Sequence, residues 1–155
     1  MEKNGSEIHK RVLEFLGVNK YCTVATVTPE GLPDAAFVYY IVRDNFELFF
    51  ITQKNTDKYK NLQANVNVTA IVVDPASRMV AKIKGHASLV EDDETAASAV
   101  KEFMSKMNEN EITHFKVLPI LERHNGSLVM VKIAPASIRM TEYGKETMAE
   151  EMVIF

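Results

Sequence analysis

The chain has 155 residues, a formal net charge of −3 and one cysteine. That length suits one domain spanning 1–155, and folding at this size buries roughly 68–70% of the extended chain's surface, so the core needs no staples. The mild charge gives no electrostatic reason to expect nucleic acid or an acidic membrane as partner. The lone Cys22 excludes an intramolecular disulfide framework, no apolar run approaches the ~20 residues of a membrane span, and the polar start MEKNGSEIHK carries no apolar signal segment, so the expectation is a cytoplasmic protein.

The first expected element is a short helix, capped by Ser6, with Ile8, Val12, Phe15 and Leu16 at helical spacing and Gly17 as its stop. Tyr21 to Thr28 is rich in Thr and Val and reads as a strand. The turn Thr28-Pro29-Glu30-Gly31-Leu32-Pro33 follows, with Gly31 able to take a positive φ, and Asp34 to Val42 is the return strand. Arg43-Asp44-Asn45 leads into a third strand, Phe46 to Thr52. A helix is expected from Thr56 to about Ala64, with Tyr59 and Leu62 inward, and then a buried strand from Val66 to Val73.

Met79 to Val90 alternates, with Ala81, Ile83, Gly85, Ala87 and Leu89 on one face and Lys82, Lys84, His86 and Ser88 on the other. The polar side is either a solvated strand face or part of an interface. Glu91-Asp92-Asp93-Glu94 suits a helix N-terminus, where the dipole favours acidic groups, and Ala96, Val100, Phe103, Met104 and Met107 form that helix's stripe. Leu128 to Ile133 and Ile138 to Met140 are read as two strands split by Pro135, and the acidic tail after Tyr143 is weakly patterned until Met152-Val153-Ile154-Phe155. Six or seven strands in hairpin order with short helices predict a mainly β protein, a barrel or strongly curved antiparallel sheet with peripheral helices.

The stretches ATVTPEGLPDAAFVYY, LFFITQKNTDKYKNLQANVNVTAIVV and KGHASLVEDD, in this order between Thr23 and Asp93, resemble the split-barrel flavoproteins, the superfamily of pyridoxamine 5′-phosphate oxidase. The resemblance implies a Greek-key-like split β-barrel and a homodimer with two molecules of flavin mononucleotide (FMN) at the subunit interface. It places the FMN phosphate by Thr52, Thr56 and Lys58, and the isoalloxazine ring along Phe37, Val38 and Tyr39.

The chemistry of these residues suits that assignment. A phosphate dianion wants cations and N–H donors held in advance, which the helix start at Thr56 and the Lys58 ammonium supply. The ring wants an apolar wall with a few backbone donors. The chain also departs from the family pattern. Ala36 stands where the oxidase carries a basic residue, and its Ser-Arg-Lys reads Thr56-Asp57-Lys58 here, so two cations are missing.

The function implied is transfer of a hydride or electrons from a reduced nicotinamide to a small organic acceptor, with the flavin's N5 as redox centre and no side chain named as acid or base. The alternatives are a flavin-binding sensor or store without turnover, and a haem- or deazaflavin-binding member of the same fold. The four histidines, His9, His86, His114 and His124, show no metal-ligand spacing, and Cys22 reads as a small core residue.

Overall fold

A computed structural model describes residues 4–109 and 128–155. Helix α1 (Gly5–Val18) is capped by Asn4, whose side chain accepts the Ser6 amide at 3.4 Å, so Ser6 lies inside the first turn rather than at the cap. Gly17 does not stop the helix. It ends at Asn19, whose side-chain amide donates to the Phe15 carbonyl at 2.8 Å. Its buried face is Val12, Phe15 and Leu16, as the spacing predicts.

The strands are β1 (Tyr21–Val27), β2 (Pro33–Tyr39), β3 (Ile41–Val42) and β4 (Leu48–Gln53), then β5 (Asn67–Asp74), β6 (Met79–Leu89), β7 (Leu128–Tyr143) and β8 (Met148–Ile154). Helix α2 (Asp57–Ala64) lies between β4 and β5, and α3 (Asp93–Lys106) follows β6. All the strands join one antiparallel sheet in the order β2-β1-β5-β6-β7-β4-β3, with β8 on β7. The two ends of that path are one stretch of chain: residues 33–42 bond β1 through β2 and β4 through β3. The sheet therefore curls back on itself as a split β-barrel.

Three further sequence expectations change. The single return strand Asp34–Val42 is interrupted at Tyr40, whose N–H still donates to the Lys20 carbonyl at 2.9 Å before the chain passes to β4. Pro135 does not split β7, because the register shifts between Lys84 and Gly85 opposite it and the ladder resumes on both sides. The tail holds a full strand, β8. Its acidic residues obscure the alternation, and Arg11 of α1 binds it by donating to Glu151 at 2.9 Å and to Glu142 of β7.

The barrel interior is filled by Val24, Tyr40, Leu48, Phe50, Ile83, Ile133 and their neighbours, with α1 plugging one end. A second cluster lies outside the barrel, where Ala96, Ala99 and Phe103 of α3 and its C-cap Met107 cover Ile41, Phe49 and Met130. That is why Leu48, Phe49 and Phe50 are all buried although they alternate in direction. Among the described residues no helix is long and apolar enough to cross a membrane.

Candidate functional site

Strand β2 is bonded to β1 along one side. The Tyr40 N–H to Lys20 C=O bond and the Thr28 N–H to Leu32 C=O bond (2.8 Å) bracket the β1–β2 ladder and fix its phase. In an antiparallel ladder bonded and non-bonded pairs alternate. Asp34, Ala36 and Val38 therefore bond toward β1, while the main chains of Ala35, Phe37 and Tyr39 are directed to the opposite edge. Across from that edge runs β4, which pairs with β3 only at Leu48 and Phe49. Among the described residues no ladder joins β2 to the Phe50–Gln53 end of β4. This junction without a shared ladder is the seam, and α2 begins just past its Gln53 end.

The start of α2 is built by Thr56. Its hydroxyl donates to the Gln53 carbonyl at 2.8 Å, accepts the Tyr59 amide at 3.4 Å and lies 3.0 Å from the buried Thr52 hydroxyl. With its one proton on Gln53, Thr56 must accept from Thr52, which fills both its lone pairs. Thr56 is thus a structural cap rather than a phosphate ligand by its hydroxyl. The amides of Asp57 and Lys58 are the donors that the first turn presents outward, since the first bond along the helix is Lys60 N–H to Thr56 C=O.

Buried polar side chains mark this corner. Of the four in the described chain, Thr26, Thr52, Asn61 and Thr141, three lie here. Asn61 of α2 is 3% exposed, and its side-chain NH2 donates to Thr26 Oγ1 at 2.9 Å and to Asp34 Oδ2 at 3.0 Å. Lys58 is half-buried nearby. Burial pulls its ammonium below the usual lysine value, and the carboxylates of Asp34 and Asp57 oppose that shift.

The six residues expected at the site do not converge. Thr52, Thr56 and Lys58 come together at the start of α2. Val38 points into the core at 5% exposure. Phe37 (49% exposed) and Tyr39 point outward, where they stack with Tyr21 at ring separations of 5.2 and 6.1 Å. Only the main chain of the Phe37–Tyr39 segment reaches the seam. Asp34, Asn61 and Thr26 were not anticipated. Their signal is an asparagine on the inner face of α2, within the Asn-Leu of the family-like segment.

Tested against FMN, the seam offers directed main-chain groups and two helix amides, which suit a flavin ring and its hydroxylated chain, while the buried Thr52 hydroxyl is committed to Thr56. At the phosphate end Lys58 is offset by Asp34 and Asp57. Cys22 is buried, and burial pushes its thiol up to about 12, so it is inert core. Among the described residues no cluster of His, Cys, Asp or Glu could hold a metal; His114 and His124 lie outside them.

Residues 8–142 match the sequence model of the pyridoxamine 5′-phosphate oxidase family. No curated protein matches the sequence. Among solved structures, the chain is similar to general stress protein 26 from Bacillus anthracis (18% identity, TM-score 0.69, 96% of this chain and 99% of that one). It is similar to a pyridoxamine 5′-phosphate oxidase-related, FMN-binding protein from Nostoc punctiforme (15%, TM-score 0.65, 99% of each). It is also similar to a haem-binding protein from Mycobacterium smegmatis (17%, TM-score 0.70), matching 97% of this chain but 59% of that longer one.

Proposed function

The chain belongs to the pyridoxamine 5′-phosphate oxidase family, and on that premise we propose that it binds a flavin, FMN in the first instance, and passes electrons from a reduced nicotinamide to a small organic acceptor. The observation that carries this reading is the seam between β2 and β4, with a capped helix start at its mouth. When bound, the flavin supplies the redox chemistry. The chain's part is to position and exclude. The main chain of Phe37 and Tyr39 lines the ring's polar edge, the amides of Asp57 and Lys58 meet the far end of the ribityl chain, and Lys58 adds a point charge. Asn61 holds α2 against β1 and β2 through its bonds to Thr26 and Asp34.

The site is completed in a homodimer. The outer face of β1 and β2 exposes Tyr21 (52%) and Phe37 (49%), beside Ile71 and Val73 of β5 and the Lys82–Lys84–His86 stripe of β6. A patch of this kind, apolar and rimmed by charge, suits a second copy of the chain. Light scattering at micromolar concentration should give twice the mass of the 17.5 kDa chain. A strict monomer would remove the interfacial pocket.

The deciding experiment is a visible absorption spectrum of the freshly purified protein, and of the protein after incubation with excess FMN. A flavin band that survives gel filtration is expected, followed by stopped-flow bleaching with NADH or NADPH faster than for free flavin. A protein that stays colourless sinks the reading. Bound flavin reduced no faster than free flavin makes the protein a sensor or store. A Soret band on haem titration, without flavin uptake, moves it to the haem-binding branch.

A further inference from the structure

The charge around the first turn of α2 is the wrong sign for the phosphate that the family resemblance places there. Beside that turn lies a groove of about 440 Å3. Its charged lining is three carboxylates, Glu30, Asp34 and Asp57, against one ammonium, Lys60. Lys58 stands next to the same turn, held electrostatically between Asp34 and Asp57. Three carboxylates thus face two ammonium groups at this turn.

Asp34 cannot easily move aside. Its Oδ2 accepts from Asn61 at 3.0 Å and its Oδ1 from the Ala35 amide at 2.9 Å. Asn61 is buried, and its other N–H is committed to Thr26 Oγ1. Swinging Asp34 outward would strand a buried N–H, the arrangement that folded chains avoid most strictly. A phosphate dianion at the Asp57 and Lys58 amides therefore meets a carboxylate that is held in place. A hydroxyl there meets an acceptor instead.

We propose that Asp34, clamped by Asn61, is the specificity residue of this site, and that it turns the site toward a flavin whose side chain ends in a hydroxyl, riboflavin, which binds at least as tightly as FMN. This rests on the flavin reading above. Riboflavin's terminal hydroxyl donates to the Asp34 carboxylate, while the ring and the rest of the ribityl chain bind as for FMN.

The test is the ratio of FMN to riboflavin affinity, read by quenching of flavin fluorescence, for the wild type and for Asp34→Asn. The substitution removes the charge but keeps an oxygen to accept from Asn61. The wild type should bind riboflavin as well as or better than FMN. Asp34→Asn should tighten FMN by about tenfold, the equivalent of one charge-assisted contact, and leave riboflavin unchanged or weaker. A wild type that prefers FMN by about tenfold or more overturns the proposal, and this measurement does not depend on the variant folding.

A second arm needs no flavin. Inorganic phosphate is titrated while the Asp57 and Lys58 amide signals are followed by NMR. Phosphate that moves them only in Asp34→Asn supports the role of Asp34, and phosphate that moves them equally in both proteins refutes it. If neither flavin binds, the flavin reading and the riboflavin preference both fall, and the phosphate arm still decides whether Asp34 excludes the anion.

Discussion

Gly85→Ala should be severely destabilising, and the structure says why. Gly85 of β6 faces the register shift opposite Pro135. A Cβ there would stand 2.2 Å from the Ala134 carbonyl oxygen and 3.0 Å from both the Ala134 carbonyl carbon and the Pro135 Cα. All three are backbone atoms, so no rotamer change relieves the contact. Ordinary contact begins near 3.4 Å, so the strands must part by about 1 Å at the point where β6 and β7 pair. Overpacking of this kind costs about 1–3 kcal/mol, and immobile partners put it at the upper end. At about 2–4 °C per kcal/mol for a chain of this size, Tm should fall by about 6–12 °C. Thermal unfolding followed by circular dichroism measures it, with protomer concentration held constant because association shifts Tm. Gly17→Ala is the matched control. Nothing lies within 4 Å of a Cβ at that position in α1, and the helical alanine should raise stability by up to about 1 kcal/mol. A Gly85→Ala protein that melts with the wild type would mean that the bulge is misplaced.

Three further outcomes follow from the site and its surroundings. Lys58→Ala should weaken FMN binding by about tenfold, the worth of one charge-assisted contact, and an unchanged affinity by fluorescence titration would put the phosphate elsewhere. Thr56→Ala removes a cap that joins Gln53, Tyr59 and Thr52, so it should cost about 1 kcal/mol in urea unfolding, with Thr56→Ser restoring most of it; equal loss in both variants would mean the hydroxyl is not the cap. Lys106, whose Nζ sits 4.7 Å from the centre of the Tyr40 ring, is pulled down to about 8 from 10.5, by burial first and the nearby Lys20 charge second. The unfolded chain holds that proton more tightly than the fold does, so stability rises as pH climbs through about 8. Above 9.0 the opposite shift of Cys22, whose thiol the fold keeps protonated to about 12, begins to cancel the gain. Cys22 is common to both proteins, so wild type should gain stability relative to Lys106→Met from about pH 8 up to 10.5, and parallel pH profiles would refute the assignment.

The readable parts of the fold are those where one residue type decides the local geometry. The period-2 pattern of Met79–Val90 gave its faces correctly, with Ala81, Ile83, Gly85 and Ala87 buried and Lys82, Lys84, His86 and Ser88 exposed. Gly31 takes a φ of +83°, and Thr56 caps α2, as their types suggest. The errors fall where tertiary pairing overrides a local signal. Pro135 reads as a break because it lacks an N–H, yet it sits at a bulge in β7 itself, where Ala136 is the extra residue between the pairs Gly85–Pro135 and Lys84–Ser137. β8 is hidden because Glu150 and Glu151 interrupt its apolar residues, and Glu151 is matched by Arg11, 140 positions away. The site was half legible. Thr52, Thr56 and Lys58 meet because a strand end and a helix start are adjacent in sequence. Asp34 and Asn61 lie 27 positions apart, and only the folded sheet joins them.

The seam itself traces to one side chain. Tyr40 is 1% exposed, and its hydroxyl donates to the Leu16 carbonyl at 2.6 Å, tying the strand to the plug helix α1. Its N–H still belongs to the β1 ladder, while the next two residues, Ile41 and Val42, pair with β4. A strand that changes partner at a buried anchor cannot lie flush with both neighbours along its whole length. The ladder therefore ends at the pivot, and among the described residues none joins β2 to the Phe50–Gln53 end of β4. α2 starts just past Gln53 because the chain must leave β4 there. The change of partner at Tyr40 thus leaves β2 and this end of β4 without a common ladder, and the outward amides of α2 start just past that junction.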